Sequence, residues 1–222
     1  MKNKKTKLLI LFFFIFLTTY KPSGNKIINN KFFPITNFII ENNYLIEENS
    51  IIKKLNILKG KNLTFINEED IEKIFKNFSL IASAQIKKIY PNTLKIIIIE
   101  KKLVAVLIKE KNKFYISEEG NLIEYTPFEF YKNLPIVFGS DKNFSKLYEK
   151  LLKVKFDLKN IKAYYYFEIG RWDIELTNNK IIKLPIEDYD KSLINFMQKI
   201  NQKNFNDYKV FDYRIKNQVI LK

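Results

Sequence analysis

The stretch that decides the fold runs from Ala84 to Glu100 and reads AQIKKIYPNTLKIIIIE. Its first half alternates apolar and polar residues as far as Tyr90, which is the period of a half-buried strand. Residues 91–93, Pro-Asn-Thr, favour a turn, and the β-branched run from Leu94 onwards predicts a second strand. The two segments are therefore expected to form a β-hairpin.

Upstream of this hairpin, the sequence predicts one strand and two helices. A strand is expected over residues 35–41, closed by a turn at Asn42-Asn43, because Asn tolerates positive φ. Apolar residues spaced for one face predict a helix over 47–55. Asn67 is a good N-cap for a second helix, and the acidic residues that follow it suit the first turn. The order strand, helix, helix, strand, strand defines a compact unit over residues 33–102.

Downstream of the hairpin, alternation and turn residues predict a second, mainly β half. Strands are expected over residues 104–109, 113–117, 161–168, 172–177, 180–184, 208–215 and 219–221, and amphipathic helices over 144–154 and 189–202. Residues 103–222 should therefore form a mainly antiparallel β domain with two helices. The fold class is α+β.

The amino terminus has the pattern of a membrane-directed segment. Lysines at positions 2, 4, 5 and 7 precede an apolar run that continues to Tyr20. The thirteen residues 8–20 would span roughly 20 Å as a helix, which is short against a hydrocarbon core of about 30 Å and would suit a signal peptide. However, residues 17–22 lack the small residues that a cleavage site needs, which favours an uncleaved anchor.

Under the positive-inside rule, this anchor has a defined orientation. Residues 1–7 are expected to be a cytoplasmic tail, 8–21 a transmembrane helix and 22–32 a linker. The rest of the chain would lie outside the cytoplasm, as in a single-pass type II protein of the inner membrane.

Composition excludes several classes of function. A net charge of +15 would ordinarily suggest nucleic acid, but Arg171 and Arg214 are the only arginines among 39 basic residues, and phosphate recognition favours arginine. No nucleic-acid partner is therefore expected. The chain has no His and no Cys, and its five glycines are scattered. We expect no catalytic residue, metal ligand or cofactor site.

Six segments, in order along the chain, match one family pattern. They are Phe38-Ile39-Ile40-Glu41-Asn42-Asn43, Gly60-Lys61-Asn62-Leu63-Thr64-Phe65, the hairpin, Leu134-Pro135 with Gly139, Arg171-Trp172-Asp173 with Leu184-Pro185, and Phe211-Asp212-Tyr213-Arg214. The sequence thereby resembles the FtsQ/DivIB family of cell-division proteins. It departs from the pattern at Asn42, where Gly is usual, at Lys101-Lys102-Leu103, where the family has Arg-x-Pro, and near Leu80, where a Trp is missing.

The resemblance implies a POTRA domain followed by a β domain in a non-enzymatic scaffold of the division septum. It further implies that the β domain binds the division proteins FtsB and FtsL and that the POTRA domain contacts upstream proteins such as FtsK. An exposed terminal strand could accept a partner segment by β-augmentation. The expected partner-binding residues are Asp212, Tyr213, Arg214, Ile215, Asn217, Gln218 and Val219.

Two other classes of function remain as alternatives. An outer-membrane assembly or secretion component could also carry a POTRA domain, but it would need tandem repeats that the sequence lacks. An anchored enzyme acting on cell-wall glycans could use carboxylates. Its densest candidates, Glu118-Glu119 and Glu187-Asp188 with Asp190, lie at turns or a helix start, where acidic residues are ordinary.

Overall fold

The computed structural model describes residues 2–19, 32–200, 202–205 and 207–222. Helix α1, Lys2–Thr19, is the first element. Across the described ranges, no helix combines the length and the apolar character needed to cross a membrane, so the predicted anchor over residues 8–21 is not confirmed. Residues 20 and 21 of that segment, and all of the expected linker except Phe32, lie outside the described residues.

The first domain has the predicted order of elements. These are β1 (Asn37–Glu41), α2 (Glu48–Leu55), α3 (Glu68–Phe75), β2 (Ile81–Ile89) and β3 (Thr93–Glu100). They form a three-stranded sheet of order β1-β3-β2, in which β1 is parallel and β2 antiparallel to β3. The predicted hairpin is confirmed, with Ala84 opposite Ile98 and Ile86 opposite Ile96.

The helix signals in the first domain act as expected. The Asn67 side chain accepts a hydrogen bond from the Asp70 backbone N–H, and the Asp70 carboxylate accepts one from the Asn67 backbone N–H, both at 3.0 Å. This capping box satisfies donors that would otherwise have no partner in the helix. Asn42, with φ of 63°, makes the predicted turn after β1. Buried apolar residues of both helices then cover the central strand β3.

The second domain is built on a nine-stranded sheet. Its strands are β4 (Leu103–Lys109), β5 (Asn112–Ser117), β6 (Leu122–Glu124), β7 (Ile136–Phe138), β8 (Ile161–Phe167), β9 (Arg171–Leu176), β10 (Ile181–Lys183), β11 (Val210–Asp212) and β12 (Ile220–Leu221), in the order β12-β11-β10-β9-β8-β7-β4-β5-β6. Five of the eight strand pairs are antiparallel, and β4–β7, β7–β8 and β10–β11 are parallel. The sheet is thus mainly antiparallel.

The sequence and the structure differ at the short strands. Strands β6 and β7 were not predicted, because each has three residues and shows no clear alternation. The strand predicted over residues 208–215 is wrong in length, since β11 ends at Asp212. Beyond Asp212 the chain leaves the sheet. The Tyr213 hydroxyl then donates a hydrogen bond to Asn195, in the helix that precedes β11.

Helices α4 (Phe144–Lys153) and α5 (Tyr189–Lys199) pack on one face of this sheet. Their apolar faces meet a core of aromatic residues, in which Phe144 contacts Trp172 and Phe196 contacts Phe211 edge-on. Between the helices, Lys150 and Asp190 form an ion pair at 2.6 Å. The ion pair therefore holds the start of α5 against α4.

A smaller apolar cluster joins the two domains. Leu45 and Leu80 of the first domain pack against Leu103, Tyr115 and Ile123 of the second. Within the first domain, the Glu100 carboxylate accepts a hydrogen bond from the Leu45 backbone N–H at 2.8 Å. The junction thus lies at the β6 end of the nine-stranded sheet, and β12 lies at the opposite end.

Candidate functional site

Strand β12 is the outermost strand at the end of the sheet farthest from the first domain. Val210 and Lys222 exchange both main-chain hydrogen bonds, at 2.9 and 3.1 Å, and Phe211 lies opposite Leu221. Because hydrogen-bonded and non-bonded pairs alternate in an antiparallel ladder, the main-chain groups of Leu221 and Val219 face away from β11. The structure thus presents an open main-chain edge within the predicted terminal run.

Tyr213 fixes the start of the segment that connects β11 to β12. Its backbone N–H donates to the Lys183 carbonyl at 2.8 Å, and its hydroxyl donates to Asn195 Oδ1 of α5 at 3.1 Å. The ring is buried, and this burial raises the pKa of Tyr213 to about 12. Tyr213 therefore positions its neighbours and has little surface to offer a partner.

Arg214 forms a bidentate ion pair with Asp212 at the start of the same segment. Arg214 Nε and Nη2 donate to the two Asp212 carboxylate oxygens at 2.8 and 2.6 Å, and the Arg214 backbone N–H adds a bond of 3.1 Å. These hydrogen bonds lower the pKa of Asp212, although its burial opposes the shift. Asp212 is buried whereas Arg214 remains exposed, so the pair presents its basic side outward.

The connecting segment faces α5 across a groove of about 640 Å³. Six of the seven predicted binding residues line this groove, and only the buried Asp212 does not. Ile215, Asn217 and Gln218 are exposed there, and Val219 is half-buried against the core. The structure thus gathers the predicted residues into one concave surface beside the open edge.

The opposite wall of the groove was missed by sequence reasoning. It consists of the loop Pro185, Ile186, Glu187 and Asp188 and of Lys191, Ser192, Asn195 and Lys199 on α5. The signal available in the sequence was the polar face of the last predicted helix, which pointed to solvent and to no particular neighbour. Only the parallel pairing of β10 with β11 brings this helix beside residues 213–219.

A row of charges runs inward from the open edge on the sheet face that the helices leave uncovered. Lys183 lies opposite both Asp212 and Asp173 in the strand register. Asp173 is buried and pairs with Arg171 at 3.2 Å. Burial raises the pKa of Asp173, and the charge of Arg171 opposes this shift. The two aspartates beside Lys183 therefore have pKa values displaced in opposite directions.

No cluster of metal-ligating side chains occurs in the part of the chain that the structure describes. Three of the acidic candidates for catalysis, Glu118, Glu119 and Asp190, are held in local contacts. Glu119 accepts a hydrogen bond from Ser117 at 2.6 Å, and Asp190 pairs with Lys150.

Comparison with known families assigns both halves of the chain. The family model described as "POTRA domain, FtsQ-type" matches residues 33–101, and that described as "Cell division protein FtsQ/DivIB, C-terminal" matches residues 105–214. The fold and the matches together define a two-domain protein of the bacterial cell-division class. The chain belongs to the FtsQ/DivIB family.

Two relatives that match in sequence agree with this assignment. Cell division protein FtsQ of Rickettsia bellii is 28% identical over 190 residues, which are 84% of this chain and 71% of the relative. Cell division protein FtsQ of Rickettsia prowazekii is 30% identical over 158 residues, which are 68% of this chain and 57% of the relative. The solved extracytoplasmic domain of DivIB from Geobacillus stearothermophilus aligns with 43% of this chain, at 14% identity and a TM-score of 0.31.

Proposed function

We propose that this protein is a non-enzymatic scaffold of the bacterial division complex, which recruits FtsB and FtsL to the septum through the open edge at β12. Family membership supports a role in cell division. The observation that carries the proposal is the outward-facing main chain at Val219 and Leu221 beside a groove. The identity of the partners, FtsB and FtsL, is taken from the family resemblance.

The mechanism follows from the shape of this edge. A partner strand that adds to β12 gains main-chain hydrogen bonds, but a two-residue strand offers few of them. Side chains must therefore supply much of the affinity. Ile215 and Ile220 offer exposed apolar surface, and Arg214 offers a partly free guanidinium. These groups suit a partner segment that combines an apolar anchor with an acidic residue.

The first domain offers a second edge. Strand β2 is outermost in its sheet and is nine residues long. An unpaired edge of this length can accept an added strand. Under this proposal, residues 33–102 form the POTRA domain and bind upstream division proteins such as FtsK. Residues 103–222 form the partner-binding β domain.

The proposal also includes placement in the cell. Residues 1–7 would be cytoplasmic, residues 8–21 would anchor the chain in the inner membrane, and the linker over 22–32 would lead to the periplasmic domains. The described apolar side chains of α1, from Leu8 to Ile15, are 48 to 73% exposed. A helix that is apolar all round needs an apolar environment, which supports this placement.

Proline at position 219 tests the binding edge. Val219→Pro removes an outward N–H and leaves the bonds between β11 and β12 in place. We expect the affinity for FtsB and FtsL to fall by more than about 2 kcal/mol, which is roughly a 30-fold rise in Kd. Calorimetry with the purified partners measures this change.

The matched control is Val219→Ala, which shortens the same side chain and keeps the N–H. Circular dichroism and the melting temperature of both variants report whether the fold survives. If Val219→Pro folds normally and binds both partners at wild-type affinity, β12 is not the binding edge.

A further inference from the structure

The first domain carries four exposed aromatic residues at the end where the described chain resumes after α1. Phe32, Phe33, Phe65 and Tyr90 are 70, 43, 56 and 52% exposed, and we call them the aromatic patch. The rings of Phe33 and Tyr90 meet edge-on with centroids 5.1 Å apart. The Phe33 carbonyl accepts the Leu63 N–H at 2.9 Å, which places residues 63–65 alongside. Grouped apolar exposure of this kind marks an interaction surface.

The backbone holds Phe33 outward. Its φ is 54°, in the left-handed region that a bulky aromatic residue rarely adopts. A β-bridge between Pro34 and Asn62 and the hydrogen bond from Leu63 hold this conformation in place. Such strain is found where a function requires a side chain in a particular position. Here it keeps a large apolar ring against Tyr90 at the surface.

Basic side chains flank the aromatic patch. Lys88 Nζ donates to the Thr64 carbonyl at 2.7 Å, which holds its ammonium group beside Phe65, and Lys61 is exposed in the same turn. The acidic first turn of α3, with Glu68, Glu69 and Asp70, follows Phe65 along the chain, and the helix dipole offsets only about half a unit of its negative charge. Aromatic rings next to lysines match the chemistry of the membrane–water interface and of anionic lipid headgroups.

The patch is also tethered close to α1. Only residues 20–31 separate Thr19, the last residue of α1, from Phe32. Thirteen Cα steps of at most about 3.6 Å allow a separation of no more than roughly 47 Å. With α1 in the membrane, the patch therefore remains within reach of the bilayer surface.

We propose that the aromatic patch rests on an anionic bilayer surface and thereby sets the orientation of the first domain at the membrane. This inference rests on the anchor placed at α1 under the proposed function. The rings would enter the headgroup region, and Lys61 and Lys88 would lie among the lipid phosphates. The open edge at β12 belongs to the other domain and stays clear of this contact.

A single fluorescent label tests the contact in the full-length chain. The chain contains no cysteine, so Thr64→Cys gives one labelling site next to the patch and leaves its four rings intact. Thr177→Cys, exposed at the turn after β9, is the matched control. Both proteins are labelled with a polarity-sensitive dye and reconstituted in nanodiscs of phosphatidylcholine with or without phosphatidylglycerol. In the anionic discs, the dye at position 64 should brighten, shift to the blue and be quenched by spin-labelled lipid.

The dye at position 177 should keep the emission of a water-exposed label. Replacing Lys61 or Lys88 with Gln should weaken the docked state about fivefold for each lysine, because a lysine near an anionic surface contributes about that factor. Equal responses at positions 64 and 177, or equal responses in neutral and anionic discs, overturn the inference.

Retention of the chain in the discs separates this inference from the anchor. A chain that stays with the discs while the dye at position 64 reports water overturns the contact and leaves the anchor standing. A chain that leaves the discs overturns the anchor itself. If the dye at position 64 still responds when anionic vesicles are then added, the patch binds lipid without the anchor; if it does not, both ideas fail.

Discussion

The two ends of the nine-stranded sheet are finished in different ways. At the β6 end, Tyr115 is fully buried and its ring lies 4.8 Å from Tyr125 and 5.8 Å from Phe128. Its hydroxyl donates to the Thr126 carbonyl and accepts the Phe128 N–H, at 3.1 and 3.3 Å. We call this the closed end. Aromatic packing and hydrogen bonds cover one face of the sheet there, and the first domain adjoins it.

At the β12 end, the last strand has two residues, and main-chain groups face outward beside a groove. We call this the open end. Exposed edges invite aggregation, so proteins keep them short or charged unless they serve as binding sites. Here the edge is short and the groove beside it contains several lysines. Under the proposed function, the sheet uses one end for stability and the other for association.

The largest expected effect on stability comes from a substitution in the aromatic cluster at the closed end. Tyr115→Ala removes a fully buried ring from the aromatic cluster and should lower the free energy of unfolding of the second domain by about 3–5 kcal/mol. Urea unfolding followed by the emission of Trp172, the only tryptophan and a buried residue of that domain, measures the change. A loss below about 1 kcal/mol would show that this cluster does not stabilise the closed end.

Matched removal of one hydroxyl compares the two ends directly. Tyr115→Phe leaves the Thr126 carbonyl and the Phe128 N–H without their partner, which should cost about 1–2 kcal/mol. Tyr213→Phe breaks only the bond to Asn195, a half-buried side chain that water can reach, and should cost less than about 1 kcal/mol. The same urea experiment serves both variants. Equal losses would contradict the difference drawn between the ends.

The sequence predicted those parts of the fold that local patterns specify. The hairpin and the Asn67 cap appear where expected, because alternation, turn residues and capping depend on residues close along the chain. Strands β6 and β7 were missed because three residues are too few to show a period. Long-range pairing gave them their place in the sheet.

The sequence predicted one wall of the candidate site and missed the other. The seven partner-binding residues were assigned from the family resemblance together with the edge-strand argument, and all of them except Asp212 line one groove. The facing residues of α5, such as Asn195 and Lys199, were not predicted, since they approach only through the pairing of β10 with β11. That Tyr213 is buried and that Arg214 is paired with Asp212 likewise required tertiary structure.

The pH dependence of the free energy of unfolding should reveal the ion pair between Asp212 and Arg214 at the open end. Arg214 lowers the pKa of Asp212, so the folded state favours the carboxylate. This contribution is fully present above the ordinary aspartate pKa of about 3.9 and is lost as the pH falls through the lower folded value. Asp212→Asn should therefore be less stable than the wild type at pH 7, and the difference should shrink in acid.

Asp173→Asn provides the contrast, because burial raises the pKa of Asp173. Once the pH rises past the unfolded pKa of Asp173, its buried carboxylate destabilises the folded state. Replacing Asp173 should therefore change the slope of stability against pH in the direction opposite to that of Asp212→Asn. Urea midpoints between pH 3 and pH 7 measure both slopes. Parallel profiles for the two variants would contradict the opposite shifts assigned to these neighbours of Lys183.

The smallest expected effect on stability lies on β12 itself. Ile220→Thr keeps a β-branched residue in the strand and changes only an exposed apolar side chain, so the free energy of unfolding should stay within about 0.5 kcal/mol of the wild type. Partner affinity should nevertheless fall, because the variant removes apolar surface beside the added strand. Calorimetry with FtsB and FtsL, set beside urea unfolding, separates the two quantities.

Leu122→Thr on the outer strand of the closed end is the control, since Leu122 is equally exposed there at 39% and lies outside the proposed binding surface. If Leu122→Thr weakens partner binding as much as Ile220→Thr does, the open end has no special role in association.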